Sequence, residues 1–206
     1  MKDERKRGCL DMNYYISDLH LFHDNIINKL DKRGFSSMDE MVNYIINKWN
    51  NKITESDDVY ILGDFSFGKP AETMDVLRRL NGRKHLVKGN HEKYLNHPEF
   101  DRSLFASIKD YMEIKDGKDY VVLCHYPILF YKHQYRNSYM LYGHIHNTQD
   151  ARFMEIVQKE FKKFRFNGRD GEAKIPAQHI NCFCMFSDYE PLSLKEWVDK
   201  CNDRKG

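Results

Sequence analysis

No stretch of this chain approaches the roughly 20 consecutive apolar residues that a membrane-spanning helix needs. Its opening residues, Met1-Lys2-Asp3-Glu4-Arg5-Lys6-Arg7, carry charge where a secretory signal has an apolar core. A cytoplasmic protein with no membrane partner is the expectation. An excess of one charge is also lacking: 33 lysines and arginines against 31 aspartates and glutamates leave a formal net charge of +2 over 206 residues. That balance gives no global reason to bind nucleic acid or a lipid surface, so any affinity for polyanions must be local. Cysteine is scarce and odd in number, and Cys9, Cys124, Cys182, Cys184 and Cys201 show no zinc-ribbon spacing, as fits reduced thiols inside a cell. Cys182-Phe183-Cys184 reads as buried thiols sharing one strand face and not as metal ligands. Internal repeats and low-complexity segments are absent too, and the length suits one well-buried core.

What is present is a regular alternation of strand and helix signals. Residues 1–11 are charged and aperiodic and read as a loose extension, leaving 12–206 as the domain. A strand is expected from about Met12 to Ile16. Ser37 followed by Glu40 is a capping box ahead of Met38, Met41, Val42, Ile45, Ile46, Trp49 and Ile53, an apolar stripe at helical spacing. Val59 to Leu62 is a buried-strand run; Pro70 then opens a helix with Met74, Leu77 and Leu80 inward, closed by Gly82. His85-Leu86-Val87 and Tyr120 to Leu123 are further strands, and Asp116-Gly117 marks a hairpin between the second of these and Tyr111 to Ile114. Tyr139 to Tyr142 leads to a charged helix from about Ala151 to Phe164, a break at Asn167 to Gly171, and a closing strand from His179 to Phe186. The alternation argues for an α/β fold with some antiparallel pairing.

Five short blocks of metal-ligand residues sit at the ends of the apolar runs: Asp18-Leu19-His20, Gly63-Asp64, Gly89-Asn90-His91-Glu92, His125, and Gly143-His144-Ile145-His146. Strand ends are where α/β folds keep their chemistry. If the first strand continues, Asp18 and His20 point to one side and can share an ion, and the same spacing sets His144 and His146 side by side. Asp64 follows a glycine at a strand end, where its carboxylate projects clear of the sheet. His125 alone could equally be a core histidine.

In order and content these blocks resemble the calcineurin-like metallophosphoesterases, whose signature reads D-x-H, G-D, G-N-H-D/E, H, G-H-x-H. The resemblance covers roughly Met12 to Thr148 plus the closing strand. It implies a single-domain sandwich of two mixed β-sheets flanked by helices, and two divalent metal ions. Asp18, His20, Asp64 and His146 would hold one ion; Asp64, Asn90, His125 and His144 would hold the other. The nitrogen and oxygen ligand set favours Mn²⁺ or Fe²⁺, with Zn²⁺ and Ni²⁺ also compatible. Asp64 would bridge, a hydroxide held between the ions would attack phosphorus in line, and His91 would donate the proton to the leaving alkoxide. Glu92 would support that histidine or be a solvated loop residue. The sequence after Asp64, Phe65-Ser66-Phe67-Gly68, lacks the Asp-Arg-Gly continuation of protein phosphatases, which makes a phosphoprotein substrate less expected.

For the substrate the candidates are small or nucleotide-like phosphodiesters, with phosphomonoesters close behind. His23 could touch substrate phosphate or be a surface histidine. The loop between His125 and Gly143 carries Tyr126, Phe130, Tyr131, Lys132, His133, Tyr135 and Arg136, a mix that can stack a base and pair a phosphate or pack as a rim. The run from Lys159 to Phe166 alternates cations with phenylalanines. It suits nucleic acid, hence a nuclease alternative, or a helix with buried aromatics and a solvated face. A noncatalytic metal-binding scaffold is the reading from a different class. Oligomeric state is left open.

Overall fold

The computed structural model describes residues 12–168 and 171–203. The expected loose extension at 1–11 and the Arg169-Asp170 step of the expected break lie outside the described residues.

Strands β1 (Asn13–Ile16), β2 (Asp58–Ile61), β3 (Arg83–Val87) and β4 (Ser107–Lys109) lie side by side and parallel. The crossovers that parallel pairing demands are supplied by α1 (Met38–Asn50) and α2 (Pro70–Arg79). The chain then enters a second sheet: β5 (Tyr111–Asp116) and β6 (Asp119–Cys124) form an antiparallel hairpin, and β7 (Tyr139–Tyr142) runs parallel to β6. After α3 (Gln149–Lys163), β8 (Arg165–Gly168) and β9 (Gly171–Lys174) make a separate two-stranded hairpin. β10 (His179–Asn181) rejoins the second sheet parallel to β7, and β11 (Leu192–Ser193) returns to the first sheet, antiparallel to β1, ahead of α4 (Leu194–Asp203). The result is a single α/β domain of two mixed sheets, ordered β11-β1-β2-β3-β4 and β10-β7-β6-β5.

Side-chain alternation decides which residues meet. In β6, Val121 and Leu123 face inward while Val122 faces outward; in β7, Leu141 faces inward while Met140 and Tyr142 face outward. The inward set packs with Tyr15, Leu62, Val87, Ile180 and Trp197 between the sheets. Ile16, Val59, Ile61 and Leu86 turn to the other face of the first sheet, where Met41, Ile45 and Trp49 of α1 and Val76 and Leu77 of α2 cover them. Trp49 is fully buried, worth about 1.5–3 kcal/mol as a large apolar side chain, and its indole N–H donates to Asn81 O at 3.0 Å. Met154 of α3 closes the outer face of the second sheet with Val122, Met140 and Tyr142.

Three expectations are corrected in detail. Ser37 Oγ accepts from Glu40 N–H, but the Glu40 carboxylate accepts from Ser36 and not from the cap residue, so the box is half formed. The two-residue hairpin turn is Gly117-Lys118, one position beyond the expected Asp116-Gly117, because Asp116 pairs with Asp119. The closing strand stops at Asn181. Cys182 N–H still donates to Tyr142 O of β7 at 2.8 Å, and the chain from there holds the turn after β1, with Ser17 N–H donating to Cys182 O at 2.9 Å and Cys184 N–H donating to Ser17 O at 3.1 Å. Cys182 and Cys184 are buried free thiols, as expected, though not on a strand face. α4 and β11 had no sequence expectation; α4 docks by burying Trp197, whose indole donates to Tyr15 O at 2.9 Å.

Candidate metal centre

The five blocks emerge at the carboxyl ends of β1, β2, β3, β6 and β7, where the two sheets face one another. The first block does not continue its strand. Instead Asp18, His20 and Phe22 adopt positive φ of 57°, 48° and 61°, so alternate residues bend the backbone into a left-handed turn. His144 and His146 do the same at 71° and 43°, and Asp64 sits at 50°. Such φ values cost a non-glycine residue about 1–2 kcal/mol each, and they concentrate where surrounding contacts over-determine the backbone. Here the turns hold each other: Asp18 N–H donates to Gly63 O at 3.1 Å, His20 N–H to Asp64 O at 2.9 Å and Leu21 N–H to Phe65 O at 3.0 Å. Two glycines permit the closeness. A Cβ on Gly89 would lie 2.2 Å from Asp64 Oδ1, and one on Gly143 would lie 2.5 Å from Asp18 Oδ2.

Two clusters result. Asp18, His20 and His146 offer ligand atoms within 4.8 Å of one another, as do Asp64, His125 and His144. His144 and His146 therefore fall in different clusters. In the first, His20 Nε2 lies 3.0 Å from His146 Nε2, and His146 Nε2 lies 3.5 Å from Asp18 Oδ1. In the second, His125 Nε2 lies 3.1 Å from Asn90 Oδ1 and 3.5 Å from Asp64 Oδ2. That Asp64 oxygen is also 3.5 Å from His20 Nε2, so it faces both clusters.

Two of the imidazoles have a fixed outer nitrogen. His125 Nδ1 donates to Leu62 O at 2.9 Å, and His146 Nδ1 donates to Asp31 Oδ1 at 2.9 Å, which turns both Nε2 atoms inward. Burial pushes His20 down to about 2 and holds His144 below its ordinary value, so both are neutral. His146 is the exception: burial pulls it downward, but the Asp18 and Asp31 carboxylates outweigh that and hold it at about 9. Burial raises Asp64 above the usual carboxylate range. Convergent imidazole nitrogens and carboxylate oxygens 3.0–3.5 Å apart, with too few protons to satisfy them all, make a donor set that fits a divalent cation in each cluster.

His91 borders the centre, half-exposed, with Nε2 4.0 Å from Asp64 Oδ2 and its N–H donating to Asp64 Oδ1 at 3.1 Å. Glu92 is not a solvated loop residue. It is 7% exposed and accepts from Phe65 N–H at 3.0 Å, bracing the turn after Asp64, and burial followed by the nearby Asp64 raises its carboxyl. His23 stacks on Phe67 with centroids 4.1 Å apart, and Phe67 also meets His91 at 4.5 Å and His20 at 5.3 Å. Phe67 had no expected role; one sequence cannot show that it is a wall shared by these rings. Tyr126 lies over His144 at 4.6 Å, with its hydroxyl 3.5 Å from Asn90 Oδ1. Arg136 sits exposed on the short helical turn Gln134–Arg136, and none of its recorded contacts is to either cluster. Asp31 and Arg33, also unforeseen, adjoin the first cluster.

The family model of the calcineurin-like phosphoesterases matches residues 14–192, which contain every block. The chain belongs to that family. It is a metal-dependent phosphoesterase, a hydrolase acting on phosphate esters, and the family implies divalent metal ions. Relatives of the phosphoesterase include an uncharacterized protein of Methanocaldococcus jannaschii, 42% identical over 83 residues, 39% of this chain and 47% of that protein. The match thus spans about half of that relative's length. The gene 66 protein of Mycobacterium phage D29 is 28% identical over 160 residues, 65% of this chain and 78% of the phage protein. A crystal structure of a protein of unknown function from Aquifex aeolicus superposes with a TM-score of 0.65 at 25% identity, over 93% of this chain and all (100%) of that one. Among the described residues no helix is long and apolar enough to cross a membrane.

Proposed function

We propose that the phosphoesterase works with two divalent ions, one held by Asp18, His20, Asp64 and His146 and the other by Asp64, Asn90, His125 and His144, with Asp64 shared between them. The observation that carries this reading is the position of Asp64 Oδ2, 3.5 Å from His20 Nε2 on one side and 3.5 Å from His125 Nε2 on the other. Bound ions would screen the phosphate oxygens and make water a competent nucleophile near neutral pH. The remaining steps belong to side chains. His91, half-exposed and 4.0 Å from Asp64 Oδ2, stands at the edge of the centre, where it protonates the leaving alkoxide. Asp64 and the N–H of His91 share a 3.1 Å hydrogen bond that keeps the acid beside the bridging carboxylate. Mn²⁺ or Fe²⁺ suits the ligand set best, because no sulfur takes part and Asn90 offers an amide oxygen.

The proposed substrates are small or nucleotide-like phosphodiesters, with phosphomonoesters second. Aromatic walls on both sides support this choice: Phe67, 37% exposed, stands beside His91, and Tyr126, 46% exposed, stands over His144. Each can take a base face, a contact worth about 1–3 kcal/mol. Nuclease activity is a second reading, and one observation favours it: Phe164 of the basic run, just past the end of α3, is 57% exposed. A working place in the cytoplasm remains part of the proposal. The test is hydrolysis of bis-p-nitrophenyl phosphate and p-nitrophenyl phosphate by Mn²⁺-loaded protein, beside single-stranded and duplex DNA. Faster turnover of the diester, lost in His91→Ala, is expected. Failure on both small esters and on both DNAs, with His91→Ala indistinguishable from wild type, would leave only the scaffold reading.

A further inference from the structure

Arg33 is out of solvent, with its side chain 0% exposed, although it lies just beyond an irregular helical turn (Ile26–Leu30). Arginine is almost never so buried unless its charge and its donors are met. Its Nε and one terminal nitrogen donate to Asp31 Oδ2 at 3.2 and 2.9 Å. That terminal nitrogen also donates to Asp18 O at 2.8 Å, and the other donates to Leu19 O at 2.5 Å. The guanidinium lies 5.9 Å from the Phe183 ring centroid and 5.8 Å from that of Tyr189. The two carbonyls it captures belong to the left-handed turn that carries Asp18 and His20. The second oxygen of Asp31 accepts from His146 Nδ1 at 2.9 Å, while Phe183 stacks on the same imidazole, 4.6 Å between centroids and 13° between planes.

We propose that Asp31 and Arg33 form a positioning clamp for the first ion alone, aiming His146 and the Asp18 turn at it; this rests on the two-ion reading above. Asp31 fixes which nitrogen of His146 carries the proton, so that Nε2 presents its lone pair to the cluster. Arg33 holds Asp31 in place and, through the carbonyls of Asp18 and Leu19, stabilises a backbone that is otherwise unfavourable for residues with a Cβ. Among the described residues no side chain grips an imidazole of the second cluster in this way. His125 is oriented there by the main-chain oxygen of Leu62, which no side-chain substitution removes. The clamp therefore sets the affinity of one ion and leaves the other alone, which a general structural role for a buried arginine would not do.

The experiment is calorimetric titration of metal-free full chain with Mn²⁺, in wild type, Asp31→Asn and Arg33→Lys, each checked for wild-type far-UV circular dichroism. Wild type is expected to take up two ions. In Asp31→Asn one of the two affinities should fall about 10–100-fold while the other stays within about threefold, because partners behind a ligand typically carry that much. Arg33→Lys, which keeps the charge and loses the fork, should weaken the same ion by less. Two ions with unchanged affinities in both variants, or both affinities falling together, overturn the clamp while leaving the two-ion reading intact. Wild-type uptake of fewer than two ions overturns that reading and the clamp with it.

Discussion

The two clusters are built from similar ligands but are held in different ways. In the first, Asp18 and His20 are fully or nearly buried and both stand in left-handed turns, while His146 is gripped by Asp31. Its geometry thus depends on side chains from the 31–33 segment and from the Phe183 region. In the second, His144 and Asn90 are exposed, and His125 is set by a strand-end carbonyl. That half depends on main chain and on the close approach of Gly89 to Asp64. One half is therefore a charged assembly that distant substitutions can detune, and the other is a main-chain frame with two ligands open to solvent.

Asp64 belongs to both halves, so its removal should have the largest effect. We expect Asp64→Asn to lower kcat/KM for the diester by at least about 10³-fold, about 4 kcal/mol, because both ions lose their shared carboxylate. His91→Ala should separate chemistry from assembly: kcat falls by about 10²–10⁴-fold, the usual range for a proton donor, while Mn²⁺ binding stays as in wild type. Gly143→Ala strikes the first half alone, and Gly89→Ala strikes the carboxylate the two halves share. Each added methyl meets a carboxylate oxygen, 2.5 Å away on Asp18 and 2.2 Å away on Asp64, and should cost about 1–3 kcal/mol in thermal unfolding. The first should weaken the first ion, and the second, by displacing the shared Asp64 carboxylate, should weaken both.

A pH series on metal-free protein sharpens the comparison further. His146 is raised to about 9 by Asp18 and Asp31 against the pull of burial, so its contribution to stability is complete below the unfolded imidazole value near 6.5. That contribution should be lost as pH rises through about 9. The Tm of wild type should decline over this window by about 2–4 °C for each kcal/mol lost, as expected for a chain of this size. His146→Gln should flatten the decline. The smallest effect is expected at the rim. Phe67→Ala removes a ring contact to His91 and His23 and should change KM by only a few-fold, in line with aromatic pairs worth about 0.5–1.5 kcal/mol.

Much of the frame was legible because hydrophobic period and strand-end chemistry are local. The runs at Val59 to Leu62 and Tyr139 to Tyr142 announced strands, and the blocks following them announced where ligand-type residues gather. What was hidden is instructive. An Asp-x-His at the end of a strand suggests extended backbone with both side chains on one side; the chain reaches a similar outcome through left-handed φ at Asp18 and His20, which the partner turn at 63–67 and the Arg33 guanidinium make tolerable. Arg33 reads in sequence as one more surface cation beside Lys32, since its burial depends on Phe183 and Tyr189, some 150 residues away. Glu92 looked equally suited to solvent or to His91, and its actual partner, the Phe65 N–H, is 27 residues distant. The aromatics near Lys159 to Phe166 were expected either to bind or to be buried; Phe161 and Phe166 are half-buried, while Phe164, just past the end of α3, is exposed.

The central claim is a pair of ions sharing Asp64, and anomalous diffraction from Mn²⁺-soaked crystals tests it most directly. Two peaks about 3.5–4 Å apart, the spacing of two-metal hydrolytic sites, are expected on either side of the Asp64 carboxylate. A single peak, or peaks that do not adjoin Asp64, would contradict the account.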